Sequence, residues 1–194
     1  MGSALSSFRS FFVFSQDPTK TLMIGIDAAG KTTILYHLLL GERVTSRNTL
    51  PTLGFNIETI THNNFTMTIW DIGGGGCMPS FWRRFFHGTV GIILVVDSSD
   101  TYRIGEVRDH LWRLLDEDEF RDLPLLVYAN KQDLESAMLV VEIRDALNLN
   151  ALRGREWHIQ GASALGGEGL KEGLDWYITQ LKENRKRNAA TWFI

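Results

Sequence analysis

The sequence predicts an α/β fold in which helices cover both faces of a six-stranded, mostly parallel sheet. From residue 21 onward, short runs rich in β-branched residues alternate with longer segments of helical periodicity. This alternation is typical of a parallel sheet built from strand–helix–strand units. The two runs that flank His62-Asn63-Asn64 have no helix between them, and an Asn-rich turn favours an antiparallel hairpin. We therefore expect one edge strand to be antiparallel.

The predicted strands are the short aliphatic and β-branched runs, taken in chain order. The first run precedes a turn that contains glycine, the second and third form the hairpin, and the last three lead into loops with polar residues. Runs of this length and composition are typical of strands. The predicted strands span residues 22–26, 56–61, 66–71, 91–97, 124–130 and 157–162.

The predicted helices are the longer periodic segments that connect these strands. We expect them to pack against the sheet through their apolar faces. They span residues 31–40, 102–116, 140–147 and 168–182. The last of them carries Leu170, Leu174, Tyr177, Ile178 and Leu181 along one face.

The composition is that of a single globular domain. The chain has 194 residues, of which 44% are hydrophobic and 22% charged, and this length suffices for one well-buried core. A net charge of −3 gives no reason to expect a nucleic-acid partner, because such proteins normally carry a basic surplus. The single cysteine, Cys77, excludes an internal disulfide and fits a reducing compartment. We expect a monomer.

Residues 25–32 match the phosphate-loop pattern G-x-x-x-x-G-K-[ST], directly after a predicted strand and directly before a predicted helix. Gly25 and Gly30 allow the backbone N–H groups to face phosphates, and the helix amino end adds positive potential. Lys31 is placed to reach the terminal phosphates, and the Thr32 hydroxyl to hold Mg²⁺. An ordinary strand-to-helix turn is the alternative, which the context disfavours.

Two further motifs follow predicted strands. Asp71 is followed by Gly73 and Gly74, which suits an acidic magnesium partner and a glycine N–H facing the terminal phosphate. Residues 130–133, Asn-Lys-Gln-Asp, lie at a strand carboxyl end, where open α/β sheets bind ligands. Asp133 can accept both N–H donors of guanine, whereas adenine would leave the carboxylate unpaired. Residues 163–165 could place a backbone N–H on the base oxygen.

Residues 25–33, 51–56, 70–74 and 130–133 together resemble the Arf and Arf-like small GTPases, in that family's order and over nearly the whole chain. The resemblance implies a P-loop small-GTPase fold, bound GTP or GDP, and Mg²⁺. It also implies a switch that recruits effectors to membranes in vesicle trafficking, aided by an exchange factor and a GTPase-activating protein. The expected organisation is an N-terminal amphipathic helix and linker at 1–18, a GTP-binding domain at 19–184 and a C-terminal tail at 185–194.

The resemblance also assigns roles to individual residues. Thr52 becomes the first-switch threonine, Gly74 the second-switch glycine, and Asp27 the loop carboxylate near an exchange factor's acid. The effector surface becomes Phe55, Trp70 and Phe85, for which core packing is the alternative. The implied metal site is Thr32, Thr52 and, through water, Asp71, and the catalytic set is Lys31, Thr52 and position 75. The implied nucleotide site is Gly25, Asp27, Ala28, Ala29, Gly30, Lys31, Thr32, Thr33, Thr52, Asp71, Gly74, Asn130, Lys131, Asp133, Ser163 and Ala164.

Position 75 departs from the family. Gly75 stands where the family usually has the glutamine that orients the attacking water. We therefore expect very slow intrinsic hydrolysis of GTP to GDP and phosphate. A GTP-bound scaffold that does not hydrolyse is the main alternative. A P-loop kinase that uses ATP is a third, disfavoured by the guanine motif.

The amino terminus predicts a membrane contact. Residues 1–6 fit M-G-x-x-x-[ST], which makes Gly2 an acceptor for myristate. Leu5, Phe8, Phe11 and Phe12 fall on one side of a helix, which suits an interfacial segment beside a lipid chain. A permanently docked helix or a leader is the alternative. We expect a cytoplasmic protein that associates reversibly with the Golgi or another endomembrane.

Overall fold

The computed structural model describes residues 19–41, 52, 54–73 and 86–191. In these ranges six strands form one sheet in the order β2-β3-β1-β4-β5-β6. The β2–β3 pair is antiparallel and every other pair is parallel, so the predicted fold class is confirmed. The strands are β1 (Lys20–Ile24), β2 (Phe55–His62), β3 (Phe65–Ile72), β4 (Gly91–Asp97), β5 (Leu125–Asn130) and β6 (Trp157–Gly161).

Four α-helices accompany the sheet in the described ranges, with short 3₁₀ helices at Asp118–Phe120 and Leu149–Ala151. None of these helices is both long and apolar enough to cross a membrane. The helices are α1 (Lys31–Leu40), α2 (Ile104–Leu115), α3 (Val140–Ala146) and α4 (Leu170–Thr191).

The core lies between the helices and the three central strands. Every residue of β1, β4 and β5 is buried, as expected for parallel strands covered on both faces. The five apolar residues predicted on one face of the last helix are each at most 3% exposed. Among them, Tyr177 also places its hydroxyl 3.1 Å from Thr21 Oγ1 of β1. This contact fixes α4 against the middle of the sheet.

Several predicted boundaries differ from those of the structure, and two of the differences have a clear physical reason. The first strand ends at Ile24 and not at residue 26, because Gly25 turns out of the strand with φ +147°. The last helix continues to Thr191 instead of ending at residue 182. Beyond 182 the apolar periodicity stops, yet Lys, Arg, Glu and Ala are good helix formers and propagation needs only one more backbone bond per residue.

The hairpin of β2 and β3 is tied to α4 at its tip. His62 Nε2 lies 2.7 Å from Asp175 Oδ1, and Asn63 Nδ2 donates to the same oxygen over 2.7 Å. Asn63 and Asn64 both have left-handed backbone conformations, which asparagine tolerates better than most residues. The Asn-rich turn therefore closes the hairpin as predicted, and its side chains also bind a helix.

The parallel strands bring their carboxyl ends to one edge of the sheet. Residues 25–33, Asp71, residues 97–103 and residues 130–133 all lie at this edge. Several predictions fall outside the described residues. They concern Gly2 and the amphipathic segment before residue 19, Gly74, Gly75, Cys77, Phe85 and residues 192–194 of the C-terminal tail.

Candidate functional site

The loop between β1 and α1 depends on two glycines. Gly25 has φ +147°, and a Cβ there would lie 2.3 Å from the carbonyl oxygen of Val95. Gly30 has φ +96°, and a Cβ there would lie 2.3 Å from Asn130 Nδ2. Both positions combine a backbone conformation that favours glycine with a close neighbour. The loop thus packs tightly against Val95 of β4 and Asn130 of β5.

Lys31 closes the loop from inside. Its side chain is only 6% exposed, and Nζ donates to the carbonyl oxygens of Gly25 at 2.8 Å and Ile26 at 2.9 Å. Burial lowers the pKa of Lys31, and the charges of Asp71 and Asp27 oppose that shift. The ammonium group is therefore held at the centre of the loop by main-chain oxygens, where it can meet an anion that the loop surrounds.

Three oxygen-bearing side chains converge beside this loop. Thr32 Oγ1 donates to Asp71 Oδ2 over 2.6 Å and lies 3.0 Å from Thr52 Oγ1. Asp71 is fully buried, and its Oδ1 makes no hydrogen bond with any described residue. Burial raises the pKa of Asp71, while the Thr32 hydrogen bond and the Lys31 charge oppose that shift. A buried carboxylate oxygen without a partner is costly unless something else binds there.

Asn130 joins two loops at the end of β5. Its Nδ2 donates to the Ala29 carbonyl over 2.8 Å, and its Oδ1 accepts from the Ala164 N–H over 2.9 Å. The residue is 1% exposed. The Ala164 N–H, which belongs to the segment predicted to contact the base oxygen, therefore already binds Asn130. Ser163, 4% exposed, adjoins this contact.

The residues that follow Asn130 build the wall of a shallow pocket. Lys131, which has φ +67°, places Nζ 2.5 Å from Asp97 Oδ2 at the end of β4. Gln132 Nε2 donates to Ser98 Oγ over 2.8 Å and to the Met138 carbonyl over 3.1 Å. These bonds fix the backbone of the loop. Exposed Asp133 lines the pocket with Gly161, Ala162, Ser163, Leu165 and Gly166.

Asp27 is an exposed residue of the phosphate loop and pairs with a residue that follows β4. Its Oδ1 is 2.8 Å from Arg103 Nη1. Ala28, which follows, is exposed and has φ +59°. Thr33 is partly buried in the first turn of α1. The structure thus gathers all the predicted nucleotide-site residues that it describes around one end of the sheet.

A family model for ADP-ribosylation factors matches residues 5–181. The chain belongs to the ADP-ribosylation factor family. Among solved structures, it is similar to the Arl6 BBS3 small GTPase from Trypanosoma brucei with bound nucleotide analogue GppNp. That similarity has a TM-score of 0.74 and 29% identity, and it covers 87% of this chain and 98% of the other. Both findings confirm the predicted resemblance and argue against the ATP-dependent kinase.

ADP-ribosylation factor family members are small GTPases that bind guanine nucleotide, typically with Mg²⁺, and act with exchange factors, GTPase-activating proteins and effectors. The residues of this chain fit such ligands. The site offers one carboxylate and two hydroxyls, the hard oxygen ligands that Mg²⁺ takes together with phosphates and water. Asp71, whose Oδ1 has no hydrogen-bond partner among the described residues, lies close enough to Lys31 for the ammonium charge to act on its pKa.

Two aromatic residues, Phe55 of β2 and Trp70 of β3, stack on each other near one edge of the sheet. The rings of Phe55 and Trp70 stack with centroids 5.6 Å apart, and Lys20 Nζ lies 4.3 Å from the Trp70 ring centroid. Phe55 is 45% exposed. Core packing therefore does not account for Phe55, whereas Trp70 is partly buried against the core.

Two contributors to the site were missed from sequence. Asp97, which orders Lys131, ends a strand beside Asn130, so the rule that parallel strands end at one edge could have found it. Arg103, which binds Asp27, carries no comparable signal because its place depends on how the segment after β4 folds back toward the phosphate loop.

Proposed function

We propose that this protein is a GDP/GTP switch whose GTP-bound form recruits effectors to membranes in vesicle trafficking, and that it hydrolyses GTP slowly. The observation that carries the proposal is the cluster of Thr32, Thr52 and Asp71 beside the phosphate loop. Thr32 and Asp71 are 2.6 Å apart, Thr32 and Thr52 are 3.0 Å apart, and Asp71 keeps a buried oxygen without a described partner. Such a cluster is suited to a hydrated divalent cation next to phosphates.

The phosphates would lie over the loop at residues 25–33. Backbone N–H groups and the amino end of α1 supply positive potential, and Lys31 supplies a full charge. The hydroxyls of Thr32 and Thr52 would hold Mg²⁺, with Asp71 acting through water. When bound, Mg²⁺ neutralises phosphate charge. Because Thr52 precedes β2, a γ-phosphate that orders Thr52 would also order the start of the hairpin, which is the physical basis of a switch.

The guanine base would lie in the shallow pocket lined by Asp133 and the 161–166 loop. Asp133 accepts from the N1–H and the exocyclic amine, and a base without those donors leaves the carboxylate unpaired. Asn130 fixes the distance between the base loop and the phosphate loop through its bonds to Ala164 and Ala29. The loop that would bind the base and the loop that would bind the phosphates are thereby held at a fixed separation by one side chain.

Hydrolysis requires a water oxygen to bond to the γ-phosphorus while the bond to the β–γ bridging oxygen breaks, giving GDP and phosphate. Lys31 stabilises charge on the transferred group. Gly75 has no side chain that could hold the attacking water in line with the γ-phosphorus. The full entropic cost of orienting that water therefore remains in the barrier, and the intrinsic rate of hydrolysis should be very low. The same residue favours the second candidate function, a GTP-bound scaffold that does not turn over.

Base recognition is tested with Asp133→Asn. An asparagine amide donates to a carbonyl at C2 and accepts from N1–H, so the variant should lose GDP affinity by about a hundredfold and prefer xanthosine diphosphate. Competition binding with both nucleotides measures this exchange of preference. Glu135→Gln, which also removes an exposed carboxylate from the same loop, is the matched control and should leave the preference unchanged. Retained GDP preference in Asp133→Asn would refute the assignment.

GTP hydrolysis is tested by loading the protein with GTP and measuring the release of γ-phosphate in a single turnover. Gly75→Gln should accelerate release by about tenfold or more, because the amide restores water orientation. Gly76→Gln places the same side chain one residue later and is the control. Measurable release from wild type that Gly75→Gln accelerates supports the slow switch. Negligible release from wild type, with or without cell extract, supports the scaffold instead, and an unaccelerated Gly75→Gln variant counts against Gly75 as the cause of slow release.

The membrane and effector parts of the proposal rest on sequence and on the stacked pair of exposed Phe55 and half-buried Trp70. Gly2 and the apolar side of residues 5–12 would provide a reversible anchor, and Phe55 and Trp70 would form part of the effector surface together with Phe85. Vesicle co-sedimentation of acylated full-length protein, compared with Gly2→Ala, tests the anchor. Equal sedimentation of the two proteins would refute the role of Gly2.

A further inference from the structure

The residue before α2, Arg103, contacts two carboxylates from different loops. Its Nη1 lies 2.8 Å from Asp27 Oδ1 in the phosphate loop, and its Nε donates to Asp100 Oδ2 over 2.6 Å. The Arg103 main-chain N–H also donates to Asp100 Oδ1 over 3.0 Å. The guanidinium thus joins the phosphate loop to the start of α2.

The pair with Asp27 matters because of where that carboxylate is. Asp27 belongs to the loop that receives phosphates, and a free carboxylate there would repel them. Hydrogen bonding to Arg103 lowers the pKa of Asp100, and the same bond raises the pKa of Arg103. Arg103 therefore stays charged and is held in place by Asp100 while it neutralises Asp27. A planar guanidinium can serve both carboxylates through separate N–H groups, which a lysine ammonium matches less well.

We propose that Arg103 is a positioning residue that slows nucleotide release, because it neutralises the Asp27 carboxylate and holds it against the start of α2, away from the bound phosphates. The inference rests on the proposed nucleotide site at residues 25–33. Arg103 itself would contact neither the nucleotide, the metal nor the attacking water, and it would act on nucleotide release only through Asp27.

The test is the release rate of GDP carrying a fluorescent N-methylanthraniloyl group, measured on full-length protein at fixed Mg²⁺. Arg103→Ala should release this probe about three to ten times faster than wild type at low salt, a range set by a partly exposed ion pair. The difference should shrink at high salt because screening weakens the repulsion by Asp27. Arg103→Lys, which keeps the charge, should fall between the two. Arg108→Ala removes an exposed arginine of α2 that pairs only locally with Asp109 and should match wild type.

A double-mutant cycle separates this role from a general structural one. In an Asp27→Ala background there is no carboxylate to neutralise, so Arg103→Ala should change the release rate by less than about twofold. An equally large acceleration in that background would overturn the proposal and show that Arg103 acts through the structure of α2. A wild-type release rate in Arg103→Ala would overturn it as well. Failure of the wild-type protein to bind the probe would instead refute the nucleotide site itself.

Discussion

The Asn130 side-chain nitrogen donates a 2.8 Å hydrogen bond to the carbonyl oxygen of Ala29, joining the end of β5 to the phosphate loop. The other end of the same amide accepts from Ala164. One buried side chain therefore connects the two loops that would hold the phosphates and the base. A motif residue that looks like a ligand contact thus also has a structural function.

Asn130→Ala should lower the free energy of unfolding by about 2–4 kcal/mol, because it leaves a buried carbonyl and a buried N–H without partners. Urea unfolding of the nucleotide-free protein measures this loss. Asn150→Ala is the control, since Asn150 is exposed and its amide only reaches Asp145 at 3.2 Å. It should cost less than about 0.5 kcal/mol. Equal stability of the two variants would contradict the bridging role.

Gly30→Ala should be far more damaging than Gly41→Ala. Both glycines have positive φ, but a Cβ at Gly30 would lie 2.3 Å from Asn130 Nδ2, whereas nothing lies within 4 Å of one at Gly41. We expect about 1–2 kcal/mol for the backbone strain at Gly41 and at least about 3 kcal/mol at Gly30 from strain and displaced hydrogen bonds together. Denaturant unfolding compares them. Similar losses would show that Asn130 yields to the added methyl group.

Asp71→Asn should stabilise the protein when it is free of nucleotide and Mg²⁺. The pKa of Asp71 in the folded protein lies above the ordinary 3.8 because the side chain is buried. Ionisation therefore disfavours the folded state, and the penalty grows as pH rises through the elevated pKa. At neutral pH the variant should exceed wild type by about 1 kcal/mol, and the gap should close toward pH 3.8. With GDP and Mg²⁺ the order should reverse.

Urea unfolding across a pH series, with chelator and then with ligands, measures both parts of this prediction. Asp100→Asn provides a comparison of opposite sign, because hydrogen bonding to Arg103 lowers the pKa of Asp100. Its ionised form therefore stabilises the folded state, and the loss caused by the variant should stay constant between about pH 5 and pH 8. A ligand-free Asp71→Asn protein that is less stable than wild type at neutral pH would refute the prediction.

Asp175→Ala should loosen the tip of the β2–β3 hairpin with little effect on global stability. Asp175 binds His62 and Asn63 from an exposed position on α4, and exposed contacts of this kind contribute less than about 1 kcal/mol. Hydrogen exchange of the hairpin amides measures the loosening. Asp145→Ala is the control for this measurement, because it removes an exposed carboxylate that contacts its chain neighbours Arg144 and Asn150 and not the hairpin. Unchanged hairpin exchange in Asp175→Ala would contradict the tether.

Phe55→Ala should cost less than about 1.5 kcal/mol, because Phe55 is 45% exposed and only part of its ring surface is buried, some of it by stacking on Trp70. Phe86→Ala should cost about 3–5 kcal/mol, because Phe86 is 4% exposed and packs edge-on against Phe120. Thermal or urea unfolding distinguishes them. A loss at Phe55 as large as that at Phe86 would place Phe55 in the core and remove it from a docking surface.

Predictions from the sequence were correct for features that depend on the backbone conformation of one short segment. The Asn63-Asn64 turn, the alternation of strands and helices, and the glycines of the phosphate loop each express a local backbone need, and the structure has them as expected. The predictions were less accurate at the ends of elements. The strand before Gly25 stops early, and the helix after Leu170 runs on to Thr191, because apolar periodicity reports packing and not where backbone hydrogen bonds end.

The sequence by itself determined the family, the fold class and the segments from which the nucleotide site is built, because those depend on local pattern and spacing. Tertiary structure alone decided which side chains of different segments touch. Lys131 meets Asp97 across 34 residues, Asp27 meets Arg103 across 76, and Asn130 meets Ala29 across 101. These pairs form only after parallel strands align their carboxyl ends, and no local propensity encodes that alignment.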